Sequence, residues 1–192
     1  MKEINNFDKQ FIDDYWSRYK KIIFDSRNDQ EIINFRDQFL QISKNKGKLI
    51  FIGNGASASL ASHASTDFTK QAKINSIAFN DHNLITALSN DYGYENWVST
   101  ALSYYCEKKD AVIFISVSGN SPNLVKGLDF AKTRKILTFS LTGASNSNYL
   151  NQNADHSIWV NSKAYNIVES VHTIMITLII DLIVGKPEYK VS

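Results

Sequence analysis

Two short stretches of this chain bring together glycines, hydroxyls and asparagines in a pattern that packing alone does not explain. The first is Gly53-Asn54-Gly55-Ala56-Ser57; the second is Ser116-Val117-Ser118-Gly119-Asn120-Ser121-Pro122-Asn123. Glycines let backbone N–H groups turn inward, and small hydroxyls donate to an anion. A helix that follows adds its N-terminal dipole and its free N–H groups. Together these suit a phosphate and need no lysine. The first stretch is not a P-loop, because no Gly-Lys-Ser/Thr follows, and G-x-G-x-x-G is absent as well. The second is the stronger signal, with Ser116, Ser118 and Ser121 around one corner. A serine-rich turn with an asparagine cap is the plainer alternative.

Such loops work only where the fold holds them. Each follows a short apolar run, LIFIG or AVIFISV, and SIAF, ILTFSLTG and SIWV repeat the theme along the chain. Apolar runs of this length separated by helical patterns predict buried parallel strands in βαβ units. The expected fold class is therefore α/β: a three-layer α/β/α sandwich around a five-stranded parallel sheet, closed by a long final helix. Ligands of such sheets bind at the carboxyl ends of the strands, where both loops fall. Ahead of residue 48 the pattern is different. Phe7, Phe11, Tyr15, Tyr19 and Ile22/Ile23 recur at helical spacing. Asn28 with Glu31 three residues later resembles a capping box for a second helix carrying Ile32, Phe35, Phe39 and Ile42. Residues 1–45 thus predict a helical hairpin ahead of an α/β core spanning 48–184, in one domain over 1–192. Pro122 falls at a helix start and Pro187 past the last helix.

Composition narrows the function classes. With 21 basic and 19 acidic residues, the formal charge of +2 leaves no footprint for nucleic acid or an anionic membrane. The lone Cys106 excludes an intramolecular disulfide framework and a Cys-rich zinc site. The opening MKEINNFDKQ has no apolar core of a secretory signal. Residues 167–184 are the most apolar, but Glu169, His172 and Asp181 interrupt them, which is poor membrane-spanning material. A cytoplasmic protein is the expectation.

The ordered motifs GNGASAS, NDYGYE (Asn90 to Glu95), ISVSGNSPN, LTG and a late VESVH resemble the SIS (sugar isomerase) domain, and within it the phosphoheptose isomerases. The resemblance covers about residues 48 to 184. It implies a flavodoxin-like sheet, a homotetramer with sites at subunit interfaces, and a phosphate held by the serine-rich loop. By position it assigns substrate contacts to Asn54, Gly55 and Ala56, to Asn90 and Asp91, and to Ser116, Val117, Ser118 and Ser121. Ala56 stands where the family usually has glycine. Val117 stands where it has threonine, so any contact there is reduced to backbone.

Aldose–ketose isomerisation needs a base near carbon and an acid or metal to polarise the carbonyl. In the family a His and a Glu on the first helix of the core, with a Gln and a His on the last helix, do this work, and some members bind zinc with these four. Here His63 and Asp67 match the first pair, four apart on one helix face, and Glu169 matches the Gln. The second His position falls on Thr177, a poor ligand and no base at neutral pH. His172 lies about 140° around the helix from it at 100° per residue. His63, Asp67 and Glu169 could still supply three zinc ligands with a fourth position open. By subtraction Glu169 is the expected base, with Asp67 orienting or polarising substrate. The plainer alternatives are a buried His63, a solvated Asp67–Lys70 pair, and Glu169 pairing with His172 on an exposed face. Asp81-His82 and His156 suit turn and strand-edge positions, and Cys106 a small buried hydrophobe.

The implied function is interconversion of sedoheptulose 7-phosphate, or a related sugar phosphate, with a heptose 7-phosphate for cell-surface polysaccharide precursors. The alternative is a non-catalytic SIS module that binds a sugar phosphate for regulation or protein binding.

Overall fold

The computed structural model describes residues 5–188. Residues 1–4, which open the expected hairpin and the stretch read for a leader, and residues 189–192 lie outside the described residues. The five apolar runs become β1 (Leu49–Gly53), β2 (Ser76–Ala78), β3 (Ala111–Ser116), β4 (Leu137–Thr142) and β5 (His156–Trp159). They form one sheet in the order β2-β1-β3-β4-β5, every pair parallel. Ile50 sits opposite Val112, Ile113 opposite Phe139, and Leu141 opposite Ile158.

Alternation along the strands divides the core in two. Leu49, Phe51, Ile113, Ile115 and Phe139 face α2 (Asp29–Lys44), α3 (Ala56–Lys70) and α8 (Tyr165–Val184). Ile50, Ile52, Val112 and Phe114 face α5 (Trp97–Tyr105), α6 (Pro122–Thr133) and α7 (Tyr149–Asn153), with α4 (His82–Tyr92) at the margin. Helices therefore cover both faces, as the three-layer expectation required. By length and composition α8 would pass for a membrane span, but Ile167, Val168, Val171, Met175, Ile176, Ile179 and Ile180 are buried in the first core.

Both N-terminal helices are present. The second, α2, lies on the sheet through Ile32, Phe35, Phe39 and Ile42. The first, α1 (Asn6–Ile23), leans on α8 and buries none of its residues fully. The capping box expected at Asn28 does not form. Asn28 ends a short 3-10 turn, and its side chain reaches across to the main chain of Trp159, donating from Nδ2 at 3.0 Å. That long-range bond ties the helix entrance to the edge strand and outcompetes the local cap. Glu31 instead accepts from Asn34 and lies 3.4 Å from His156.

Candidate active site

Chain direction across the sheet reverses between β1, which leads outward to β2, and β3, which leads the other way to β4 and β5. Such a switch point opens a crevice at the carboxyl ends of the strands. Both glycine- and hydroxyl-rich stretches lie there. Gly53 ends β1 where a Cβ would come within 2.6 Å of the Ser57 backbone, so only glycine lets α3 start this close to the strand. The two loops are joined by a reciprocal amide pair. Asn54 Nδ2 donates to Asn123 Oδ1 at 3.0 Å, and Asn123 Nδ2 donates to Asn54 Oδ1 at 2.9 Å. The Tyr94 hydroxyl donates to the same Asn54 oxygen at 3.1 Å.

The β3–α6 corner is the more tightly built loop. Ser116 Oγ accepts from the Gly119 N–H at 3.1 Å and Ser118 Oγ from the Asn120 N–H at 3.3 Å; the two hydroxyl oxygens are 3.4 Å apart. Ser121 is the N-cap of α6 with Pro122 at the first helical position, and its side chain makes no capping bond, which leaves the hydroxyl for a ligand. Gly119 has φ +64°, and a Cβ there would lie 1.8 Å from Asn148 Oδ1. Asn148 is buried, donates to the carbonyls of Gly143 and Ser145, and accepts from the Asn151 N–H. Asn120 Oδ1 accepts from the Tyr149 N–H. The corner is thus clamped from the β4–α7 connection. Val117 can offer a ligand its backbone alone. Its side chain is buried in the core beside Ile115 and Val168, because strand alternation turns residue 117 inward. Its carbonyl accepts from the Gly143 N–H.

Where the first of these loops runs into α3, a cleft of about 330 Å³ separates the start of that helix from α8. Ala56, Ser59 and His63 form one wall and Glu169, Ser170 and Thr173 the other. The structure therefore brings His63 and Glu169 to one space. Asp67 does not line it. It sits a turn further along α3, 3.3 Å from His63 Nε2, and its charge, added to the larger effect of burial, raises the Asp181 carboxyl above the usual range. Thr177 is exposed, with its hydroxyl donated to the Thr173 carbonyl at 2.9 Å.

The expected zinc set of His63, Asp67 and Glu169 is not assembled. Among the described residues no three His, Cys, Asp or Glu side chains stand close enough to hold a metal ion. His63 and Asp67 meet on one helix while Glu169 faces only His63's end of the cleft. His172 does not pair with Glu169 on an exposed face. It is fully buried, lies 3.1 Å through Nε2 from the Thr142 carbonyl, and burial pulls its imidazole down to about 4.

Asn90 and Asp91 are exposed in the last turn of α4, where Asn90 Nδ2 donates to Asp91 Oδ1. Their segment reaches the crevice through Tyr94. Asp81 caps α4, and burial pushes the Cys106 thiol up to about 12, so it is no nucleophile. Sequence reasoning missed Asn123, Asn148 and Tyr94 as builders of the site. The signal for Asn123 was its place right after Pro122 in a helix's first turn.

With this geometry in hand, the SIS domain family matches residues 10–143. Phosphoheptose isomerase 2 of Campylobacter jejuni is 34% identical over 181 residues, 91% of this chain and 90% of that protein. Phosphoheptose isomerase of Helicobacter pylori is 33% identical over 150 residues, 75% of this chain and 78% of that protein. A phosphoheptose isomerase structure from Francisella tularensis superposes with a TM-score of 0.85 over 95% of this chain and all of its own, at 22% identity.

Proposed function

The chain belongs to the SIS domain family, and from that premise we propose that it is a phosphosugar aldose–ketose isomerase of the phosphoheptose type. Its substrate on this reading is sedoheptulose 7-phosphate or a related sugar phosphate, converted to the heptose 7-phosphate for cell-surface polysaccharide precursors. The observation that carries it is the placement of an anion-binding corner and a His63–Glu169 cleft at the carboxyl ends of neighbouring strands, on a chain 34% identical to a phosphoheptose isomerase over nearly its whole length.

In the mechanism the phosphate docks on Ser118, Ser121 and the start of α6, where the helix dipole favours an anion. The sugar then extends toward the cleft. Glu169 takes the proton from the carbon next to the carbonyl, and the electron pair moves to the carbonyl oxygen to give an enediol. His63 donates to that oxygen, with Asp67 behind it holding the imidazole in place. Glu169 then returns its proton to the former carbonyl carbon while the hydroxyl on the adjacent carbon gives its proton back to His63 and becomes the new carbonyl, which completes the isomerisation and resets both side chains. Asp67 therefore acts through His63 rather than on the sugar.

Assembly as a homotetramer belongs to the same reading. Phe11 and Trp16 on α1 are each 63% exposed, and Ile174, Leu178 and Leu182 line the open side of α8. Faces this apolar mark a protein contact. The groove between α1 and α8 also includes Ser170 of the cleft, so a second copy seated there would reach the site's rim. A cytoplasmic location fits this chemistry.

The deciding experiment incubates the purified protein with sedoheptulose 7-phosphate and other ketose phosphates in heavy water. Deuterium entering the carbon adjacent to the carbonyl is the expected result. Tight binding without exchange would instead make this a non-catalytic sugar-phosphate module. A monomer by light scattering at micromolar concentration would remove the tetramer.

A further inference from the structure

The amide of Asn54 has little freedom left. Its carbonyl oxygen has two lone pairs, one taken by Asn123 Nδ2 at 2.9 Å and the other by the Tyr94 hydroxyl at 3.1 Å. One of its two N–H groups goes to Asn123 Oδ1. A single N–H remains uncommitted. Asn54 can therefore offer the ligand one donor and no acceptor, which suits a carbonyl or phosphate oxygen.

Tyr94 supplies the closing bond from a segment built to hold it. Gly93 turns the chain with φ +87°. Asn96 donates from its N–H to the Gly93 carbonyl and from Nδ2 to the Tyr92 carbonyl, and Lys126 on α6 donates to Asn96 Oδ1 at 2.8 Å. These bonds do not use the Tyr94 hydroxyl. The ring is 55% exposed, so its place at the lip of the crevice is not a demand of the core.

We propose that Tyr94 is a positioning residue for the sugar phosphate, acting through Asn54: its hydroxyl blocks the spare acceptor of the Asn54 amide and leaves that amide a pure donor to the ligand. The inference rests on the isomerase reading and adds a residue to the same site.

Tyr94→Phe removes only the hydroxyl. For sedoheptulose 7-phosphate the KM in the exchange assay, and the Kd by calorimetry, should rise about three- to tenfold, the weight of one neutral hydrogen bond, with kcat moving far less. Inorganic phosphate, which needs only the serine corner, should bind the variant as it binds the wild type. In an Asn54→Ala background Tyr94→Phe should add nothing. Tyr104→Phe, which removes another exposed hydroxyl on the same side of the fold, should change neither constant. An unchanged KM and Kd in Tyr94→Phe overturns the proposal. So does an effect that persists in the Asn54→Ala background, or an equal loss of inorganic phosphate binding. If the wild type binds the sugar phosphate without exchange, the isomerase reading fails while the Kd comparison still decides Tyr94. If the wild type binds no sugar phosphate, both fall.

Discussion

The β3–α6 corner and the α3–α8 cleft are neighbours built on different principles. At the corner, Ser121 apart, the side-chain oxygens are held by the loop's own backbone or by the β4–α7 connection: Ser116 to Gly119, Ser118 to Asn120, Asn120 to Tyr149. In the cleft His63 and Glu169 project from two helices toward a shared gap, and the side chain of His63 is 62% exposed. A preorganised cradle gives up little freedom when an anion arrives, whereas side chains across a gap must be ordered by the ligand or by a second copy. On the proposed mechanism this difference makes binding and proton transfer separable. Variants in one region should spare the readout of the other.

The largest effect belongs to the cleft. Glu169→Gln keeps the shape and restores the family's usual residue, yet should cut solvent exchange by ~10²–10⁴-fold, the usual cost of losing a general base. Inorganic phosphate should bind the variant unchanged. Full exchange activity in Glu169→Gln would move the base elsewhere, and lost phosphate binding would erase the separation between the regions.

Next comes pH, which acts on the corner's support. His172 is three residues beyond Glu169 but faces the other way, against the Thr142 carbonyl beside Gly143, whose N–H holds Val117. Burial lowers its imidazole from 6.5 to about 4. Above pH 6.5 both folded and unfolded chains carry it neutral, and its contribution is complete. As pH falls, the unfolded chain takes up a proton that the folded chain refuses, so stability drops until the folded pKa is passed. The loss amounts to about 3 kcal/mol. Thermal melts of His172→Gln between pH 7 and 4 should be flatter than those of the wild type. Parallel curves would mean that His172 does not govern the acid response.

His172 and its surroundings also show what the sequence could and could not carry. Apolar runs of four to eight residues marked all five strands, most cleanly β1 and β3, which are buried throughout and carry almost no polar position to blur them. The corner was legible as a motif, since serines and glycine beside one another in the chain are beside one another in the loop. His172 was not, because α8 is apolar on nearly every side and helical spacing then cannot say which side is in. Nor was the Asn54–Asn123 pair, whose partners are 69 residues apart and meet only because β1 and β3 are adjacent. Asn28 misled for the same reason, with a bond to Trp159 replacing a local cap.

A smaller effect tests the corner directly. Ser121→Ala removes a hydroxyl that no protein group uses as a cap, so phosphate affinity should fall by about 1.5–3 kcal/mol with the melting temperature unmoved. Ser118→Ala should weaken phosphate equally but also loosen the loop, since Ser118 Oγ holds the Asn120 N–H. Calorimetry with inorganic phosphate and a melt without ligand separate the two. Equal behaviour of both variants would mean that the loop's internal bonds contribute nothing to its shape.

The smallest expected change in binding comes from putting back what the family usually carries. Val117→Thr adds the hydroxyl whose absence the sequence flagged. If residue 117 faced the ligand, the variant would bind phosphate more tightly. It faces the core, 3% exposed among Ile115, Val168 and their neighbours. The new hydroxyl would be placed in apolar surroundings, at a cost of about 1–3 kcal/mol of stability when no partner is found. Phosphate affinity should stay within about twofold of the wild type, a change below ~0.5 kcal/mol. Tighter binding at unchanged stability would show that the strand end turns outward in solution, and the corner would then be less rigid than its hydrogen bonds make it.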